Sequence, residues 1–481
     1  MRDKFDAIIV GSGQNGFAAA ITLAEAGLST LIVEANEKIG GSTSSAELTL
    51  PGFIHDICSA IHPLTVASPF FKKVRLEENG LEFVEPPASL AHALNARTAV
   101  LLKRSVAETV ENFDAPDRRV YMDLVKPFVE KWDDLAREIL APVHIPRKPF
   151  LLANFGLKTF RSARAFANKY FRGERARAVF AGCAAHAMIP LEDLPTAAAG
   201  FVLALTAHVG GWVFPKGGAQ KIADALAARF LALGGEIRTG MRIENLDELP
   251  PAKSVLLDLT PRQILRIAGH RLPEGYKRKL EKYVYGAAAY KVDWALSEPV
   301  PWKAKECSLA GTVHLGGTFE EAAENERIVR SGGHPEKPFV LFAQNSLFDP
   351  TRAPEGKHIG WAYCHVPNGS VEPMLERIEA RIESFAPGFR DCILERSVLP
   401  PRELELHNAN LVGGDINGGS AMLSQFFTRP VVSLNPYRTP LENVYICSSS
   451  TPPGGGVHGM CGFHAARAAL SDLKIPMPFE V

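Results

Sequence analysis

Six residues near the N-terminus, Gly11-Ser12-Gly13-Gln14-Asn15-Gly16, have the types and spacing to hold a phosphate. They follow an apolar run from Phe5 to Val10 and open a small-residue stretch that reads as a helix from about Gly16 to Ala26. Glu34 stands at the end of the next apolar run, Leu31 to Val33. Strand, glycine turn, helix, strand and acid, in that order, are what a dinucleotide site requires. Gly11 permits the tight turn, Gly13 lets backbone amides approach a pyrophosphate, and Gly16 lets helix and strand pack closely. The helix N-terminus adds partial positive charge. Glu34 is placed to accept ribose hydroxyls, and its charge disfavours a 2′-phosphate, so NADP is the poorest occupant. A second glycine pair, Gly40-Gly41, follows with Ser42 and Thr43.

No other local pattern announces chemistry. The seven cysteines (58, 183, 307, 364, 392, 447 and 461) form no CxxC pair, which argues against a zinc site or a redox dithiol and suits a reducing compartment. No metal site is expected, and no Ser–His–Asp arrangement has local support. Asp133-Asp134 and Glu192-Asp193 read as solvated helix or loop ends. Lys+Arg 53 against Asp+Glu 53 leaves no net charge, so nucleic acid is not an expected partner. The N-terminus enters a strand within five residues, too soon for a cleavable signal, and a cytoplasmic location is expected.

The elements that must position these residues extend along the whole chain. At 481 residues, 46% hydrophobic and 22% charged, it has material for about three domains or two large ones. Apolar spacing at Val125, Phe128, Trp132, Leu135 and Ile139 predicts one long helix from Tyr121 to Leu140. Leu194 to Pro215 carries no formal charge, but Pro195, Gly200, His208 and Gly210-Gly211 favour a buried helix and loop over a membrane span. Pro215-Lys216-Gly217-Gly218 opens a helix through Phe230, and Ser254 to Leu259 reads as a strand leading into a helix begun by Pro261. Asn443 to Cys447 reads as a buried strand, followed by a glycine turn and a helix from Met460 to Leu470.

Four segments carry a family resemblance: FDAIIVGSGQNGFAAAITLAEAGLSTLIVEANEKIGG, HVGGWVFPKGGAQKIADALA, LTPRQIL and NVYICSSSTPPGGGVHGMCGFHAARAAL. With them the chain resembles, almost end to end, the phytoene desaturase and carotenoid isomerase group of flavoproteins, related to the amine oxidases. Within that group it resembles the subgroup called pyridine nucleotide-disulphide oxidoreductase domain-containing protein 2. The resemblance implies an α/β fold in which a Rossmann-type, glutathione-reductase-like FAD domain (1–75, 210–275 and 435–481) interleaves with an α+β substrate domain (76–209 and 276–434).

It also implies non-covalent FAD held by Gly11, Gly13, Gln14, Asn15, Gly16, Glu34, Ala35, Gly41 and Ser42. Ile243, expected in the strand after Gly235, would meet the adenine through its backbone. Gly455, Gly456, Val457 and His458 would sit against the flavin and ribityl chain. Ser448, Ser449 and Ser450 stand where relatives usually have glycines; their hydroxyls would bond the phosphate or ribityl chain, Ser449 being the cofactor-binding candidate, or else only the backbone. Lys291, in Ala289 to Trp294, matches the amine oxidase strand whose lysine holds a water beside flavin N5; a surface lysine on a strand edge is the other reading. His62 and His458 fall beside the implied flavin, though hydrogen-bonded structural histidines are the commoner case.

The implied activity is removal of hydride from a largely apolar, isoprenoid- or carotenoid-like substrate. No second strand–GxGxxG–helix unit is visible, so a diffusing acceptor, oxygen or a quinone, is expected to reoxidise the flavin. A redox-neutral isomerase, an amine oxidase and a non-catalytic flavoprotein partner stay open, as does the oligomeric state. Residues 147–177 hold nine basic residues (147, 148, 158, 161, 164, 169, 172, 175 and 177) and one acid, Glu174, interleaved with aromatic and aliphatic side chains. That pattern predicts peripheral docking on the inner face of a membrane, against a solvated basic helix or a subunit interface.

Overall fold

A computed structural model describes residues 4–481. Two sheets organise them. The first is parallel and five-stranded, in the order Val444–Ile446, Ala252–Leu257, Phe5–Val10, Thr30–Val33, Glu236–Arg238. Its central strand is almost wholly buried, as a strand covered by helices on both faces must be. All five strands lie within 1–75, 210–275 and 435–481.

The second sheet has seven strands, in the order Ile393–Leu399, Ala288–Leu296, His358–Val366, Val340–Ala343, Ala310–Leu315, Ala88–Asn95, Thr98–Leu102. Only the pairing of Ala310–Leu315 with Ala88–Asn95 is parallel. Side chains alternate between its faces. Val292, Trp294, Phe342, Ala362 and Val313 point to one side and form a core with Ile378, Ile382 and Phe385 of the helix Leu375–Phe385. On the other side one registered row runs His92, His314, Leu341, Tyr363, Lys291. That face turns toward the first sheet.

Three expectations are corrected. The predicted helix 121–140 is two helices, Ala115–Val129 and Trp132–Ile139. Pro127 has no N–H to give the helix, and Lys131 leaves helical backbone at φ −114°, ψ 24°. Trp132 then turns inward, and its Nε1 donates to Ala67 O at 2.8 Å. Lys291 is no edge residue, because strands pair on both sides of Ala288–Leu296. Ile243 lies beyond the short strand Glu236–Arg238, in the loop that follows it.

The uncharged stretch after Leu194 forms the helix Thr196–Val209, 14 residues long. At 1.5 Å per residue it is about 21 Å, short of a ~30 Å hydrocarbon core. It packs on the helix Glu174–Ala185, where a Cβ added to Gly200 would lie 2.9 Å from Ala184 Cβ. Among the described residues no helix is long and apolar enough to cross a membrane.

Candidate active site

The glycine turn leaves the central parallel strand at Gly11, whose φ of +105° excludes most side chains. The helix Gln14–Glu25 starts at once. A Cβ on Gly16 would lie 2.2 Å from Gly11 O, so helix and turn touch there. Glu34 is buried and already accepts three hydrogen bonds: from Ser12 N (2.9 Å) and Ser12 Oγ (2.6 Å) on Oε2, and from Asn36 N (2.9 Å) on Oε1. A carboxylate offers about four lone-pair positions, so one on Oε1 is left for a ligand. Ala35 and Ile243 border the same space.

Gln14 and Asn15 tie this turn to the C-terminal one. Gln14 Nε2 donates to Gly456 O (3.2 Å), its Oε1 accepts from Gly459 N (2.9 Å), and Asn15 Nδ2 donates to Ser449 Oγ (3.2 Å). Gly41 completes the cradle, its side facing Gly13 Cα. Ser42 accepts a hydrogen bond on Oγ from Asn408 (3.2 Å). Ser448 and Ser450 donate to Leu259 O (2.8 Å) and Gly418 O (3.1 Å). Only Ser449 of the three serines faces the N-terminal turn.

Asp258, at the end of the neighbouring strand, was not singled out from sequence. Its Oδ2 accepts from Gly16 N at 3.0 Å, and a Cβ on Gly13 would meet the same oxygen at 2.5 Å. Burial first, and the nearby Glu34 charge second, push its carboxyl up to about 7.

The histidines differ in what they have to spare. His458 uses both ring nitrogens within its own turn: Nε2 meets Gly454 O at 3.1 Å and Nδ1 accepts from Met460 N at 3.0 Å. His62 Nε2 meets Ser59 Oγ (3.1 Å), while its buried Nδ1 has no partner. Burial lowers both imidazoles to about 4.

Lys291 is 2% exposed and ion-paired with Asp293, which follows two residues on along the same strand. Asp293 Oδ1 in turn lies 3.5 Å from His55 Nδ1. The Lys291 Nζ sits over the Trp361 ring, 5.8 Å from its centroid. Lys291 and Trp361, with both glycine turns, His62, His407 and His186, line one cavity of about 860 Å³. Its far end is walled by Leu152, Phe155, Val202, Leu203 and Phe426.

The cradle fits the FAD that the sequence implies. A glycine-floored pocket at a helix N-terminus would take the pyrophosphate, and Glu34 keeps one acceptor position that a ribose hydroxyl would fill. Buried polar atoms of Asn15 (Oδ1) and His62 (Nδ1) border the cavity without partners.

Comparison with known proteins agrees. Residues 6–263 match the family described as FAD dependent oxidoreductase. The pyridine nucleotide-disulfide oxidoreductase domain-containing protein 2 of Rattus norvegicus is 26% identical, over 98% of this chain and 94% of its own. The neurosporene-forming phytoene desaturase of Rhodobacter capsulatus is 24% identical, over 95% and 92%. In fold the chain is similar to putrescine oxidase, solved with bound putrescine, at TM-score 0.61, 18% identity and coverage of 98% and 99%. The matched family spans more than half the chain, including the glycine turn, Glu34 and Asp258, and the protein therefore belongs to the FAD-dependent oxidoreductase enzymes.

Proposed function

We propose that the enzyme removes hydride from a largely apolar, isoprenoid- or carotenoid-like molecule, with non-covalent flavin reoxidised by oxygen or a quinone. The observation that carries this reading is the single cavity that joins the glycine cradle to an apolar chamber over the seven-stranded sheet. FAD, when bound, supplies the two-electron acceptor. The chain supplies the rest. Backbone N–H groups at the start of Gln14–Glu25 would hold the pyrophosphate, and Glu34 Oε1 would orient the ribose. Leu152, Phe155, Val202 and Leu203 exclude water from an extended hydrocarbon. Lys291, paired with Asp293, presents its Nζ on the cavity wall beside Trp361.

The cavity also touches Val143, Phe160 and Phe427, all of which are exposed on the outer surface. An opening ringed by apolar side chains suits entry from a membrane surface, and it supports peripheral docking on the inner face of a membrane.

Anaerobic titration tests the assignment. Terpene and carotene hydrocarbons in detergent should bleach the flavin absorbance and yield products two hydrogens poorer. Bleaching by putrescine or benzylamine alone would replace the reading with amine oxidation, and a product of unchanged hydrogen count would replace it with isomerisation. Acid precipitation should release the flavin into the supernatant; retention in the pellet would mean a covalent link.

A further inference from the structure

One stretch of the cavity wall keeps polar groups that the protein itself does not use. Thr312 lies on the strand Ala310–Leu315, on the face toward the cavity, and its buried Oγ1 has no hydrogen-bond partner. Two residues further on stands His314, and against it His186 at the end of the helix Glu174–Ala185. The two Nε2 atoms are 3.2 Å apart. Between neutral imidazoles, one must donate to the other. The His186 ring borders the cavity beside Trp212, with centroids 5.7 Å apart. Among the described residues no hydrogen bond reaches its Nδ1.

The pair is held rigidly. His314 and His92 are register partners on adjacent strands, and His92 Nε2 donates to Gly317 O at 2.9 Å. Gly182, one turn before His186, presses on both rings: a Cβ there would lie 2.5 Å from His92 Nδ1 and 2.6 Å from His314 Nδ1. His314 therefore cannot swing away. The shared proton has two seats. On His186 Nε2 it leaves Nδ1 as an acceptor, and on His314 Nε2 it makes His186 Nδ1 a donor.

The surroundings select an uncharged ligand. Burial lowers His186 to about 3 and His314 well below the ordinary imidazole value, with His365 nearby adding to both. His365 is itself bonded to Glu326 at 2.6 Å. Lys291 is three strands away in the same row, about 14 Å at ~4.8 Å per strand, and is paired with Asp293. A carboxylate or ammonium at His186 would meet no counter-charge.

We propose that His186 Nδ1 binds one uncharged oxygen of the substrate, which is then an apolar molecule carrying a hydroxyl or carbonyl group. The inference rests on the apolar-substrate reading above and narrows it.

The test titrates the holoenzyme with octane, 1-octanol, octanoate and octylamine, read by tryptophan fluorescence and by the flavin spectrum. Octanol should bind about tenfold or more tightly than octane, the expected effect of one good hydrogen bond in a dry site. It should also bind more tightly than either charged probe. His186→Phe should remove that advantage while leaving octane affinity within about twofold. His186→Gln, which keeps a donor and an acceptor, should restore part of it. Equal binding of octane and octanol by the wild type, tightest binding of octanoate or octylamine, or an octanol advantage that survives His186→Phe would each overturn the inference while leaving the apolar reading standing. Failure of all four probes to bind would overturn both.

Discussion

At the scale of single residues, the ion pair Lys291–Asp293 joins the cavity wall to the interior of a sheet. Both side chains are almost fully buried, and strands flank them on either side. Asp293→Asn would leave an ammonium in low dielectric with no counter-charge, and breaking a buried pair from one side typically costs about 3–5 kcal/mol. Chemical denaturation should show that loss, and the double variant Lys291→Met/Asp293→Asn should recover most of it. A single variant as stable as wild type would mean the pair is not charged in the folded protein. The Lys-x-Asp spacing was legible in sequence, since period two puts both residues on one face. Their burial was not: it depends on which strands flank Ala288–Leu296, and His55 arrives from far away in the chain. Asp258 carries a second expectation. In the unfolded chain its carboxyl ionises near 3.8, whereas the folded one holds its proton to about 7. Between those values the folded state binds the extra proton, so stability falls as pH rises and levels off above about 7. Asp258→Asn removes that term. Thermal melts should show the variant gaining on wild type from pH 4 to 7, by at most ~4 kcal/mol, and holding its lead above. A gap that closes as pH rises would contradict the assignment.

At the scale of elements, the cradle depends on how closely the helices Gln14–Glu25 and Met460–Asp472 cross. A Cβ on Gly462 would lie 1.9 Å from Asn15 O and 2.9 Å from Ala19 N, so no side chain fits between them. Gly462→Ala must push the helices apart. Gln14 and Asn15, which clasp the C-terminal turn, sit at that crossing. Overpacking of this kind costs about 1–3 kcal/mol, and the variant should leave gel filtration with less flavin per protein. Gly275→Ala is the control, because nothing lies within 4 Å of its added Cβ. Equal flavin content in the two variants would show that the crossing does not set the cradle. The N-terminal strand, turn and helix were readable because local propensity and glycine placement agree with the tertiary need. The break at Lys131 was hidden by a hydrophobic repeat that continues across it. Ile243 was misplaced because the strand it was assigned to ends at Arg238; Gly240 then turns the chain at φ +64°, and Gly240 N and Met241 N bond back to Asn36 O and Glu34 O.

At the scale of the whole molecule, the proposed apolar substrate must reach a cavity lined from both sheets and from the helices Pro149–Thr159 and Thr196–Val209. Residues 147–177 were read as a basic docking segment, and the structure divides its charges unequally. Arg164 pairs with Glu192 and Glu320, Arg175 with Asp114, Arg147 with Glu480 and Lys148 with Asp134. Arg161 and Arg172 donate to the carbonyls of Leu157 and Asn168. Much of the excess is thus already used within the protein. The apolar residues are less committed: Ile145 is 91% exposed, Phe150 89%, Leu157 77% and Phe160 54%. A fully buried side chain of this size contributes about 1.5–3 kcal/mol, against about 1 kcal/mol for each cation near anionic lipid. Docking is therefore expected to rest first on these side chains and second on charge. In liposome flotation the wild type should rise with both neutral and anionic vesicles, more with the anionic, and salt should remove only that difference. Phe150→Ser/Leu157→Ser/Phe160→Ser should rise with neither. Charge reversal at Arg164 should lower stability more than flotation, because it breaks two internal ion pairs. A triple variant that floats like wild type, or a wild type that floats with neither vesicle, would remove the membrane from the account and leave these exposed side chains to a protein partner.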